Sequence, residues 1–249
     1  LIISTIREYL RKSTIILFLV FASGLILCTW FITPFTLGES AKIVRDIALS
    51  ATSFIGIIMA VVFGSRLLYR DVKRKAVYCL LTRPVTIGEI IAGKFLGLAI
   101  LIFFIECGLY LIIELTLLFI EGVFSPELLL SFPLVLLESY IILGFVFLVT
   151  AFSSPFMGTA MGIASYMLGH TAFDIKTFAI QPNTGISGIL AHIVYFVVPN
   201  LEHFNIRTEL VHGLPLSSER IIFSFCYGII YVLLLLILSI ILFKRRQYM

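Results

Sequence analysis

Glu106, Tyr110 and Glu114 recur at i, i+4 and i+8 inside an apolar run covering residues 95–119. That spacing keeps all three on one slowly drifting helical face. An ionised side chain at mid-bilayer costs about 2.5 to 3.5 kcal/mol on insertion scales, so such a stripe must face protein or water. Two chemistries fit it: the polar wall of a transport route, with proton titration as one form, or structural hydrogen bonds to a neighbouring helix. Glu138 lies nearer the start of the next apolar run and is expected at the interface. His170 and Asp174, one turn apart, have the spacing to pair or to begin a metal site. Two ligands are too few, and although His192, His203 or His212 could complete a copper or zinc set, nothing in their spacing demands it.

Gly88-Glu89-Ile90-Ile91-Ala92-Gly93-Lys94-Phe95 follows the spacing of a phosphate-binding loop except at its last position, where Ser or Thr should meet magnesium. Phe95 offers no such oxygen, and the segment leads into a membrane run rather than following a strand. No ATP site and no other cofactor is therefore expected in this chain. The paired groups that an intramembrane protease or lipid transferase would need at membrane depth are not evident, so no enzyme is expected. The four cysteines lie in apolar runs or a basic loop, without the polar Cys/His spacing of a zinc site.

The elements that must position these residues follow from composition. Hydrophobic residues make up 60% of the 249-residue chain and charged ones 13%, against roughly 25% charged in a soluble domain; mean hydropathy is +1.13. Apolar runs cover residues 14–35, 47–68, 95–119, 132–152, 156–173 and 221–243, each long enough to span a hydrocarbon core about 30 Å thick. The pattern predicts an all-α membrane protein of six transmembrane helices forming one domain over residues 1–249. Ile2, Ile3, Ile6, Tyr9 and Leu10 share one helical face opposite Arg7 and Arg11, which predicts an interfacial helix ahead of the first span. Residues 186–198, bounded by Pro182, Gly185 and Pro199, are too short and broken for a seventh span and read as a re-entrant or interfacial helical loop between spans five and six.

Short cytoplasmic loops hold the excess of lysine and arginine. Arg7, Arg11, Lys12, Arg66, Arg70, Lys73, Arg74, Lys75, Arg83, Lys94, Lys244, Arg245 and Arg246, thirteen of the 18 basic residues, fall on one side of a six-span layout. Both termini are then cytoplasmic, and the connection between spans two and three is a basic cytoplasmic loop. Along it Leu67, Leu68, Val72 and Ala76 approximate one helical face, while Arg70, Lys73 and Arg74 offer charge to a soluble partner.

Residues 70–95 carry Asp71, then Leu80-Leu81, Arg83-Pro84-Val85 and Gly93-Lys94. This order resembles a segment of ABC-2 type transporter permeases: an acidic residue before a short amphipathic helix, a Leu-Leu pair, a basic-Pro-Val turn, and Gly-Lys at the next span. The sequence departs from the family at Lys75-Ala76, where Gly-Thr is common. More loosely, the stretch from Val198 to Asn205 is similar to permeases of the branch that includes the nitrous-oxide-reductase maturation permease, which assigns no substrate.

The resemblance implies that the segment from Asp71 to Arg83 forms a coupling helix seated in a cleft of a nucleotide-binding subunit, with Asp71, Arg74, Tyr78, Leu80, Leu81, Arg83 and Pro84 as the ATPase-coupling residues. It further implies a permease subunit of a cell-membrane exporter that works as a dimer with a second copy or a homologous permease. ATP and magnesium would then sit on partner ABC ATPase subunits. Glu106, Tyr110 and Glu114 would line the transport path. Besides the lipid bilayer, an external or periplasmic protein is a conceivable partner, and no nucleic acid is expected. The alternatives are a proton-coupled secondary transporter, which would show inverted halves with matched broken helices, and an intramembrane enzyme.

Overall fold

A computed structural model describes residues 20–24, 27, 31, 40–73, 86–122, 126–180, 185–212, 214 and 217–247. All regular structure among these residues is helical. The reason is the bilayer-like composition: with few polar side chains to satisfy them, backbone groups bond within their own segment. In chain order the helices are α1 (Ser40–Lys73), α2 (Ile87–Glu121), α3 (Pro126–Phe152), α4 (Pro155–His170), α5 (Ala172–Ile180) and α6 (Gly185–Val197). A 3-10 turn (Leu201–Phe204), α7 (Arg207–His212) and α8 (Ser218–Gln247) follow. Four apolar windows are long enough to cross a membrane: Lys42–Leu67, Gly88–Phe119, Leu128–Phe152 and Ser218–Arg245. By length and composition they mark the chain as membrane-embedded.

Helix ends are set by local chemistry. Thr86 caps α2 through its hydroxyl, which accepts from the Glu89 amide, while Glu89 reaches back to the Thr86 amide in a full capping box. Gly122 closes the same helix at φ 71°, a left-handed conformation that glycine adopts without a Cβ penalty. Ser154 caps α4, with Pro155 at the first helical position where no amide bond is lost.

α3 is the centre of the bundle: 72% of its apolar window is buried, against 22% for α8, which lies on the outside. α1, α2, α4 and α8 surround α3, and α1 also packs on α2 and α4. Small residues permit the close approaches. A Cβ on Gly162 of α4 would come within 2.6 Å of Val146, and one on Gly158 within 2.2 Å of the Thr150 hydroxyl. The buried face of α4 is Gly158, Gly162, Ser165 and Gly169, so the small-residue stripe packs inside the bundle.

Several expectations meet a different arrangement. The run at 156–173 is divided at Thr171 into the 16-residue α4 and the short α5; α4 is about 24 Å long, short of a hydrocarbon core. α1 starts at Ser40, so Lys42, Arg45 and Asp46 occupy its first turns rather than a loop, and it continues to Lys73. Helix propagates at both ends because no Pro or Gly interrupts it there. The expected helical stretch at 186–198 forms α6, which covers Gly185–Val197 and packs against α5. The interfacial helix at 2–12, most of the run at 14–35, and Arg74, Tyr78, Leu80, Leu81, Arg83 and Pro84 lie outside the described residues; Asp71 falls in the last turn of α1.

Candidate functional site

Glu106, Tyr110 and Glu114 are all buried, as their shared face requires, and that face meets α3. Ser139 on α3 donates to Glu106 Oε1 at 2.7 Å. Tyr110 shares a 2.9 Å hydrogen bond with Ser131, whose hydroxyl lies 2.7 Å from the Leu128 carbonyl. Gly56 brings α1 against the same carboxyl, since a Cβ there would lie 2.0 Å from Glu106 Oε1. Glu106 Oε2 is buried with no hydrogen-bond partner. The stripe therefore joins three helices, α1, α2 and α3.

The open space is one turn away. A cavity of about 580 Å³ lies among α1, α3, α4 and the segment from the 3-10 turn into α7, within the usual range for small-molecule sites. Its floor holds Glu138, 3% exposed, so this acid faces the interior of the bundle. Ser53 donates to Glu138 Oε2 at 3.2 Å, and His170 Nε2 lies 2.8 Å from Oε1. With the carboxylate ionised, Nε2 carries the hydrogen. His170 Nδ1 is 3.8 Å from Glu202 Oε2 on the 3-10 turn, and its ring meets Tyr166 edge-on at 4.7 Å. His170 thus bonds Glu138 and lies beside Glu202, whereas Asp174, beyond the break at Thr171, is exposed.

The rim is tied down by charge. Arg207 Nε lies 2.9 Å from Asp46, and the same guanidinium donates to Ser50. Arg220 pairs with Glu209 and donates to the Asn205 carbonyl at 3.2 Å, so α8 anchors the far side of the same segment. Ser224 donates to the His203 carbonyl at 2.8 Å, and Tyr227 accepts the Asn200 amide at 3.2 Å. His203 is held below its ordinary pKa, chiefly by burial and further by the Arg220 charge, with Glu202 opposing.

Sequence reasoning missed this site because its charges come from four separate segments. Glu138 was visible as a lone acid in an apolar run, but Asp46 and Arg207 were legible only as loop charges. Gly88 to Lys94 forms the first turns of α2, not a phosphate loop, and Lys94 is buried in the bundle. Among the described residues no group of three or more His, Cys, Asp or Glu side chains converges as a metal site.

Fold and cavity together define a helical membrane protein with a polar, charge-rimmed cavity at one end of its bundle. The chain matches no family model and no curated protein.

Proposed function

We propose that the chain is the membrane-spanning subunit of an ABC-2 type transporter, an exporter that works as a dimer of six-span halves with cytoplasmic termini. ATP hydrolysis on separate nucleotide-binding subunits drives it through the basic segment between α1 and α2. The segment from Asp71 to Arg83, which begins in the last turn of α1, carries the coupling contact, and α5 and α6 form the interfacial pair outside the membrane.

The observation that carries this reading is the continuity of α1. It runs unbroken over 34 residues, about 50 Å. Asp46, Ser50, Ser53 and Phe54 near its start line the cavity, and its end enters the basic segment that resembles the coupling region. A rigid helix of that length transmits a displacement at one end to the other, which is what coupling to a soluble motor requires. α2 leaves the same segment from a capped, well-defined start at Thr86. A proton-coupled secondary transporter is the second reading, favoured by the buried Glu138–His170 pair on the cavity wall.

Leu80→Asp places an unpaired carboxylate in the proposed ATPase contact and leaves every apolar window intact. The variant is expected to reach the membrane while losing its copurifying ATPase, or at least substrate-stimulated ATP hydrolysis. Arg74→Glu, a rim charge, should weaken the same contact less. ATPase partner and activity both retained at wild-type level in Leu80→Asp would remove the segment from Asp71 to Arg83 from the coupling role. Proton uptake on substrate addition without any ATPase would favour the second reading.

A further inference from the structure

We propose that the cavity is a binding site for an organic monocation, an aryl- or alkyl-ammonium whose nitrogen sits against Glu138. The charges lining it divide by depth. At the rim, Asp46 and Arg207 neutralise each other, and Arg207 is further engaged by Ser50. At the floor, Glu138 is buried, and its described donors are Ser53 and His170. A hydroxyl and a neutral imidazole donate hydrogen bonds but cancel no charge. With His170 neutral, the lining carries one uncompensated negative charge. Each carboxylate oxygen keeps a further lone pair for an N–H donor. Phe54, Val135, Phe204 and the Tyr166 ring supply apolar and aromatic wall around that charge, the surroundings that bind the body of an organic ammonium and add cation–π attraction. An anionic ligand would have to approach Glu138, and the one guanidinium charge on the rim, Arg207, is already neutralised by Asp46.

The ammonium and a proton on His170 compete for the same carboxylate. Around that ring stand Glu138 from α3, Ser53 and Asp46 from α1, Tyr166 from α4, Glu202 from the 3-10 turn and Arg207 from α7. Protonating His170 supplies the missing positive charge, so acidification opposes binding. Identifying this cation as the cargo rests on the transporter reading; the binding itself does not.

The full chain in lipid nanodiscs, without any ATPase, is titrated with three fluorescent probes of one shape: dansylcadaverine, its N-acetyl derivative, and dansyl-6-aminohexanoate. Empty nanodiscs provide the membrane background. At about pH 8 the amine should bind about tenfold more tightly than the neutral amide, the scale of one charge-assisted hydrogen bond, with the carboxylate weakest. That preference should shrink toward parity near pH 5.5. Glu138→Gln should abolish it. Equal binding of the three probes by the wild-type chain, or preference for the carboxylate, would overturn the site even if Glu138→Gln fails to fold. So would an amine preference indifferent to both pH and Glu138→Gln. A negative result here leaves the outcome for Leu80→Asp standing, because no ATPase enters the assay.

Discussion

Glu106 illustrates how a single side chain can be readable in type and unreadable in role. Its burial followed from its place in an apolar run, but its partners Ser139 and Gly56 are 33 and 50 positions away in sequence and belong to other helices. The contact is close enough to be tested by steric substitution. Gly56→Ala puts a methyl group where the Glu106 carboxyl and the Ser139 hydroxyl already sit, 2.0 and 2.2 Å from the new carbon. It is expected to destabilise the protein by about 1 to 3 kcal/mol, the usual cost of overpacking. In a Glu106→Ala background the same methyl group should cost markedly less, since the obstructing carboxyl is gone. Thermal unfolding of the four proteins of this double-mutant cycle in detergent measures the difference. Additive effects would mean that Gly56 and Glu106 do not touch.

Among the elements, α4 and α2 make opposite use of glycine. Gly162 on α4 lies where a Cβ would strike Val146 at 2.6 Å and Val61 at 3.1 Å, so Gly162→Leu should push α4 off α1 and α3. Gly88, in the first turn of α2, meets nothing nearer than Ile240 at 3.6 Å. Gly88→Ala should therefore be neutral or stabilise by up to about 1 kcal/mol through helix propensity. Compared by folded yield and melting temperature, Gly162→Leu is predicted to lose stability and Gly88→Ala to lose none. No loss in Gly162→Leu would undo the packing assigned to α4. The small-residue pattern of this helix was visible in sequence, as was the Thr86-x-x-Glu89 signature that starts α2. The break at Thr171 was not, because Gly169, two residues before it, reads equally as the last member of the small-residue stripe.

For the whole molecule, the unequal burial of the helices sets what the surface must meet. α8 presents Ile222, Ile230, Leu233 and Ile237 outward, and a face of that composition requires lipid or another apolar protein surface. The basic residues give the expected direction in which the bundle crosses the membrane. In a background with Cys28, Cys107 and Cys226 changed to Ser, a cysteine at Ser217 is predicted to react with an impermeant thiol reagent in intact cells when Cys79 is also replaced. Native Cys79, kept in the same background without the Ser217 change, should react only after permeabilisation. Labelling of Cys79 in sealed cells would invert the topology.

Composition and periodicity alone determined that this chain is helical and membrane-embedded, because hydrocarbon tolerates only segments that satisfy their own backbone. Charge asymmetry determined the expected orientation, and the spacing of Glu106, Tyr110 and Glu114 determined that they share a face. Which helix that face meets was decided only by tertiary packing: α3 supplies Ser131 and Ser139 at the right depth, and α1 supplies a glycine opposite Glu106. The cavity was decided in the same way. Asp46, Glu138, His170 and Arg207 are spread over 162 positions of sequence, and local patterns carry no information about groups so far apart. Only the folding of the Asn205 to Arg207 segment back over the bundle end, held by Arg207 on Asp46 and Arg220 on Glu209, brings those charges around one space.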